Sequence, residues 1–289
     1  MVEASVIVPH YNQPALLAFC LESLERQTIA RARYEIIVAD NRTPGGVEAI
    51  RARFPRVIFT TAEERGAAPA RNAGLAVARG ALIAFTDADC IAAPDWLETG
   101  IDALGAADLC GGRILVTAAD EARLSPVEAF ERVFAFRQRD YVEKKRFAAT
   151  ANLFARRTAA DAIGPFTNGL SEDLDWCRRA VALGFRLAFN DRSIVSHPAR
   201  RDWSELVRKW DRIILERWNG FSRASVRGRA LWLLLAAATA LSAAPHLLRV
   251  AFSPELVRLR DRAAAAGVLA RIRVWRAARM TALLTARSA

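Results

Sequence analysis

Leu82-Ile83-Ala84-Phe85-Thr86-Asp87-Ala88-Asp89 is the stretch that decides how this sequence is read. Four apolar residues in a row suit a strand buried on both faces, and two carboxylates follow one residue apart. Residues i and i+2 of a strand face the same way, so Asp87 and Asp89 are expected to point together and repel unless a cation or a hydrogen-bonding ligand lies between them. At the carboxyl end of a parallel strand, that is a ligand position. A plainer reading stays open beside it, a solvated loop in which Asp89 or a neighbour caps the helix opening near Pro94.

Upstream, the chain alternates strands with helices. Ala4–Pro9 reads as a buried strand, and Pro14–Gln27 carries Leu16, Leu17, Cys20, Leu21 and Leu24 at helical spacing. Tyr34–Ala39 is a second strand ending at Asp40-Asn41, followed by turn residues Thr43-Pro44-Gly45-Gly46 and a short helix over Val47–Arg53. Val57–Thr61 is a third strand, and Gly66–Arg79 an alanine-rich helix that Gly80 is expected to cap. This alternation predicts right-handed crossovers and a parallel sheet, with Asp40, Asp87 and Asp89 at the strand ends. No GxGxxG follows the first strand, which argues against a dinucleotide-dependent oxidoreductase.

Downstream, a helix is expected over Pro94–Leu104, a strand over Leu109–Thr117 and a helix over Glu128–Arg139. Lys144-Lys145-Arg146 reads as a solvated loop, Ser171 as the cap of a helix running to Gly184, and Arg186 to His197 as a strand.

The chain has 289 residues and is 53% hydrophobic, enough for one large core or two modest ones and not the composition of a disordered chain. Cys20, Cys90, Cys110 and Cys177 form no CxxC pair, and no charged-then-apolar leader precedes the first strand, so a reducing cytosolic setting is expected and a zinc knuckle is not. The net charge of +11 is carried by the C-terminal part, where residues 201–289 hold 17 Lys and Arg against 6 Asp and Glu. A neutral, chemistry-bearing part is thus followed by a basic one suited to anionic lipid or nucleic acid.

The ordered blocks Ser5-Val6-Ile7-Val8-Pro9-His10-Tyr11-Asn12, Ile37-Val38-Ala39-Asp40-Asn41, Ala70-Arg71-Asn72-Ala73-Gly74, Phe85-Thr86-Asp87-Ala88-Asp89, Asn152-Leu153-Phe154 with Arg157, Gly164-Pro165-Phe166 and Glu172-Asp173-Leu174-Asp175 together resemble family-2 glycosyltransferases of the GT-A fold. The resemblance covers roughly residues 4–200. It implies an α/β, Rossmann-like, mainly parallel sheet flanked by helices, with a nucleotide-sugar half over 1–110 and an acceptor half over 111–200. By the same analogy, Pro9 and Tyr11 line the base pocket, Asp40 hydrogen-bonds the base and Arg71 lies near the nucleotide. Asp87 contacts the ribose, and Asp89 holds a divalent metal, Mn or Mg, on the diphosphate. Asp173 matches the general base, with inversion as the outcome, and His197 is a candidate metal ligand. Glu172 either orients the acceptor or favours its helix dipole.

Departures from the family pattern refine these expectations. Asp40-Asn41-Arg42 stands where Asp-Asp-Gly-Ser is commoner, and no glycine precedes Glu172-Asp173. Ile214-Leu215-Glu216-Arg217-Trp218 keeps only the Arg-Trp of the Gln-X-X-Arg-Trp sequence of processive polymerases, which favours transfer of a single sugar.

In the basic region 201–289, Asp202–Trp218 reads as a helix with Leu206, Trp210, Ile213, Ile214 and Arg217 around it. Ala230–Leu248 runs 19 residues without Asp, Glu, Lys or Arg, close to a membrane span, although Pro245 and His246 interrupt its end. Val268–Leu284 places Val268, Ile272, Trp275 and Leu283 on one side, with Arg271, Arg273, Arg276 and Arg279 able to meet anionic headgroups. An anionic membrane surface is therefore the expected partner, and no nucleic acid is expected. The expected location is the cytoplasmic face of an inner membrane, peripheral or monotopic, with a single span left open. The function expected is transfer from a nucleotide sugar, UDP-linked, to a hydroxyl of a surface polysaccharide or lipid-linked glycan. The alternative is a non-catalytic nucleotide- or glycan-binding membrane module.

Overall fold

The computed structural model describes residues 2–169, 171–219, 221 and 225–285. The chain divides into two compact units, Met1–Leu115 with Phe136–His197, and Val116–Ala135 with Pro198–Ala289. A division at residue 200 alone therefore misplaces Val116–Ala135, whose apolar residues pack with the C-terminal helices.

The first unit opens with β1 (Ala4–His10), α1 (Pro14–Glu25), β2 (Tyr34–Asp40), α2 (Glu48–Arg53), β3 (Ile58–Thr61), α3 (Ala67–Val77) and β4 (Leu82–Phe85). A two-residue β5 (Ile91–Ala92), α4 (Trp96–Ala103) and β6 (Leu109–Thr117) follow. After α5 (Pro126–Phe134), which lies in the second unit, come α6 (Gln138–Lys145), β7 (Leu153–Arg156), α7 (Arg157–Ile163), α8 (Glu172–Ala182) and β8 (Leu187–Pro198). The strands form one sheet in the order β3-β2-β1-β4-β7-β6-β8-β5. β1 pairs in parallel with β2 and β4, and β2 with β3, as the alternation requires. β7 then enters antiparallel between β4 and β6.

Alternation along these strands builds a core on each face of the sheet. Val6, Val8, Ile36, Val38 and Ala84 join Leu17, Leu21 and Leu24 of α1 and Trp96 of α4. Ile7, Ile37, Ile83 and Phe85 face the other way, against Ala68 of α3 and Trp176 and Cys177 of α8. All four cysteines are buried, and burial pushes their thiols far above the usual range, to about 12 for Cys110 and Cys177.

Several sequence expectations are corrected. β4 stops at Phe85, so Asp87 and Asp89 lie past the strand in a turn, and strand alternation does not set their direction. Gly80 is no helix cap, because α3 ends at Val77 and Ala78 is its C-cap. Gly80 instead lets the chain pass β1, where a Cβ would sit 2.6 Å from the backbone of Ala4 and Ser5. Backbone atoms cannot swing aside, so Gly80→Ala should cost about 3 kcal/mol in chemical denaturation. The helix expected over Glu128–Arg139 is two helices, broken where Phe136 takes φ 44°. Lys144 and Lys145 form the last turn of α6, with Arg146 left-handed at its end, rather than a loop.

The second unit holds α5 with α9 (Trp203–Asn219), α10 (Val226–Leu241), α11 (Ala243–Ala251) and α12 (Leu259–Thr285). A capping box at Ser125 and Glu128 starts α5. Val127, Phe130, Leu206, Val250, Leu269 and Ile272 form its core. Glu131 is buried between Arg200 and Lys209, each 3.0 Å away, so the carboxylate enters the core neutralised. The apolar run expected over Ala230–Leu248 is divided between α10 and α11 at Ser242.

Candidate active site

The turn after β4 brings three metal-type donors together. One ligand atom each from Asp87, Asp89 and His197 lies within 4.8 Å of the others. His197 arrives on β8, with Nε2 3.4 Å from Asp89 Oδ2, and Phe136 packs on its ring at 4.3 Å. Two carboxylate oxygens and an imidazole nitrogen are an appropriate donor set for Mn or Mg, both of which take oxygen ligands readily. Asp89 does not cap the next helix, because Asp95 occupies the N-cap of α4.

Arg71 ties this turn to α8. Its guanidinium is buried and donates to Asp87 Oδ1 at 2.9 Å and to Glu172 Oε1 at 2.8 Å. Burial opposes its charge, but Asp87, Glu172 and Asp173 hold its pKa above the ordinary value. Glu172 is thus a partner of Arg71, a role that its place in the first turn of α8 did not disclose.

Asp173 lies beside that pair. Burial and the neighbouring charge of Glu172 push its carboxyl up to about 6, against the opposing pull of Arg71 and the Leu174 N–H. Aromatic packing fixes its helix: Trp176 stacks on Phe166 at 4.8 Å, and Phe85 meets both rings edge-on. Trp176 is fully buried and its indole N–H donates to Gly164 O. Asn72 secures the same segment by exchanging two hydrogen bonds with the Phe166 backbone.

Asp40 sits at the end of β2, in register with His10 on β1. Its carboxylate takes hydrogen bonds from the Thr43 hydroxyl at 2.6 Å and the Thr43 N–H at 3.0 Å, and it meets His10 Nδ1 at 3.0 Å. Burial acts against the charge, yet the Thr43 bonds hold the pKa below the usual carboxylate range. Asn41 shapes the entry to α3 by bonding Glu64 O and the Gly66 N–H. Pro9 is half-buried and Tyr11 is exposed at this same strand end.

His10, Thr43, Asn72 and Phe136 support the site without having been singled out from sequence. Thr43 had a signal, a hydroxyl three residues after a strand-end aspartate, which is a common side-chain-to-backbone turn arrangement. Phe136 had none, since a left-handed phenylalanine is evident only once the chain is folded. Asn152, quoted within a family block, is a buried clamp: it accepts from Trp96 Nε1 and donates to Arg113 O and Ser193 O.

Residues 5–164 match the sequence model of Glycosyl transferase family 2. The chain is a family-2 glycosyltransferase. This glycosyltransferase is 31% identical over 245 residues to "Glycosyltransferase AglE" of Haloferax volcanii, covering 80% of each chain. It is 25% identical over 215 residues to "Pre-mycofactocin glycosyltransferase" of Mycobacterium tuberculosis, covering 70% of this chain and 44% of that protein. Among solved structures, mannosyltransferase PcManGT from Pyrobaculum calidifontis in complex with GDP-Man and Mn2+ aligns with TM-score 0.61 at 18% identity, covering 98% of this glycosyltransferase and 86% of its own chain. That likeness places the fold of the glycosyltransferase in the GT-A class.

Proposed function

We propose that the chain moves one sugar, with inversion, from a nucleoside-diphosphate sugar, UDP-linked, to a hydroxyl of a surface polysaccharide or lipid-linked glycan. The observation that carries this reading is the Arg71 bridge, which fastens the Asp87 turn to Glu172 beside a carboxyl suited to proton abstraction. Asp173 takes the acceptor hydroxyl proton as the oxygen–carbon bond forms, and the bond from the sugar carbon to the diphosphate breaks on the opposite face. Asp89 and His197 would hold a divalent Mn or Mg ion with Asp87. That metal would supply charge stabilisation to the departing diphosphate. The Mn2+ and GDP-Man named with the mannosyltransferase structure support a metal-assisted nucleotide-sugar site.

Pro9, Tyr11 and Asp40 line the proposed nucleoside end, with Thr43 orienting Asp40. A cavity of about 470 Å³ lined by Phe136, Arg137, Gln138 and Phe189 shares Phe136 with the His197 ring contact and is offered as the acceptor approach. Membrane attachment of the chain is supported by the α10–α11 segment Val226–Ala251, which is long and apolar enough to cross a bilayer by length and composition. Leu234, Leu241 and Leu248 within it are exposed.

The direct test is release of nucleoside diphosphate by the full chain from UDP-sugars and GDP-mannose with Mn or Mg, with the product anomer assigned by NMR. Metal-dependent transfer with inverted configuration is expected. A retained anomer overturns the mechanism, and donor binding with no turnover on any acceptor favours the binding-module alternative. A base must be deprotonated to work, so kcat/KM should fall about tenfold per pH unit below about 6 and level off above it.

A further inference from the structure

Most arginines near α9 and α12 have occupied guanidiniums. Arg279 donates to Asp211 at 2.5 Å, Arg212 to Glu216 at 2.9 Å, and Arg262 to the Leu256 and Ala251 carbonyls. Arg271 has no oxygen acceptor among the described residues, but it is exposed and lies over the Trp203 ring at 3.9 Å, with no buried donor left over. Arg279 is therefore paired within the fold through its Nε.

Arg217, Arg273 and Arg276 differ. Among the described residues, none of the three has a carboxylate within ion-pair distance or an oxygen accepting from its guanidinium. Arg276 lies on the Trp210 ring at 3.6 Å, and both Arg276 Nε and Trp210 Nε1 are buried donors without a hydrogen-bond partner. Two such donors in one stack are unusual, since an unpaired buried donor is costly to the fold and commonly marks a site completed by an ion or water. Arg217 follows Trp210 by seven residues on α9, and Arg273 precedes Arg276 by three on α12, so each pair shares a helix face. Burial and the like charges of Arg273 and Arg217 push the Arg276 guanidinium down to about 9.

We propose that Arg217, Arg273 and Arg276, with Trp210 as the platform, bind a phosphate group. Guanidinium forks match phosphate oxygens two at a time, and a phosphate relieves the mutual repulsion of three cations. A phosphate oxygen drawn into the cluster, with small shifts of the side chains, also gives the orphaned donors an acceptor. The group belongs either to a lipid headgroup or to a free phosphate. The inference goes beyond the transfer reaction and does not depend on it.

The test uses the full chain and two readouts that do not require turnover: flotation with phosphatidylcholine vesicles with and without phosphatidylglycerol, and calorimetric titration with inorganic phosphate. Arg273→Gln/Arg276→Gln is compared with Arg208→Gln, which removes one exposed charge from α9 away from the stack. At about 1 kcal/mol for each arginine near an anionic leaflet, the double variant should lose about tenfold or more in partition to phosphatidylglycerol vesicles. Arg208→Gln should change by less than the effect of a single clustered arginine. Arg276→Lys, which keeps the charge and loses the fork, should fall between wild type and the double variant. Should the double variant fail to fold by circular dichroism, Arg217→Gln on the exposed side carries the same comparison.

A loss confined to vesicles identifies a lipid phosphate, and a loss in the phosphate titration identifies a free one. No loss in either readout, or an equal loss per charge in Arg208→Gln, overturns the site.

Discussion

Asp173→Asn is expected to lower the rate of sugar transfer about 10³-fold while leaving donor affinity intact. The substitution keeps the shape of the side chain and an oxygen able to accept from the Leu174 N–H, 2.7 Å away. It removes only the capacity to take a proton. The same change should stabilise the fold. Asp173 is raised from 3.8 to about 6 by burial and Glu172, so the folded state prefers the protonated form. The stability linked to that proton is full below about pH 4 and is lost as pH rises through about 6. A neutral asparagine escapes the loss at pH 7. A higher thermal midpoint beside a collapsed rate, with unchanged nucleotide binding by calorimetry, is the signature of a residue kept for chemistry rather than folding. A transfer rate near wild type would remove Asp173 from the mechanism.

The second large effect is expected at Asp89. Asp89→Ala should reduce metal-dependent donor turnover by about 10³-fold or more, because charge building on a departing diphosphate would lose its counter-charge, worth several kcal/mol. Chelation of wild-type protein should produce a similar loss, reversed by added Mn or Mg, whereas the variant should not respond to either ion. Asp87→Asn makes a useful contrast. It also breaks the 2.9 Å ion pair to buried Arg71, so its effect should include a fall in stability that Asp89→Ala lacks. Wild-type turnover in Asp89→Ala would show that the triad does not serve the reaction.

The parallel half of the sheet was legible because its signal is local. Apolar runs of four to six residues, each followed by a helical stretch, mark β1, β2, β3 and β4 within a residue or two. The positions of Asp40, Asp87, Asp89 and Asp173 could be read from residue type and order. Their working connections could not, since Arg71 reaches Glu172 across 101 positions and no local pattern encodes that distance. The same limit applies to Val116–Ala135, whose amphipathic helix was visible but whose partners lie in α9, α11 and α12. Along α12, spacing alone did not separate Arg279, which has Asp211, from Arg276, which among the described residues has an aromatic ring and no carboxylate. Helix periodicity says which residues share a face, and the neighbouring helix decides what they meet.

The four buried cysteines distribute thiols over α1, the turn after β4, β6 and α8, around the elements that hold the candidate site. Since burial keeps each one protonated and out of reach, a thiol reagent can modify them only when the surrounding structure opens. Labelling rates under native conditions would therefore read local opening free energies at four points. Cys20 and Cys90, beside the aspartate turn, would also report whether nucleotide and metal close that region against fluctuation.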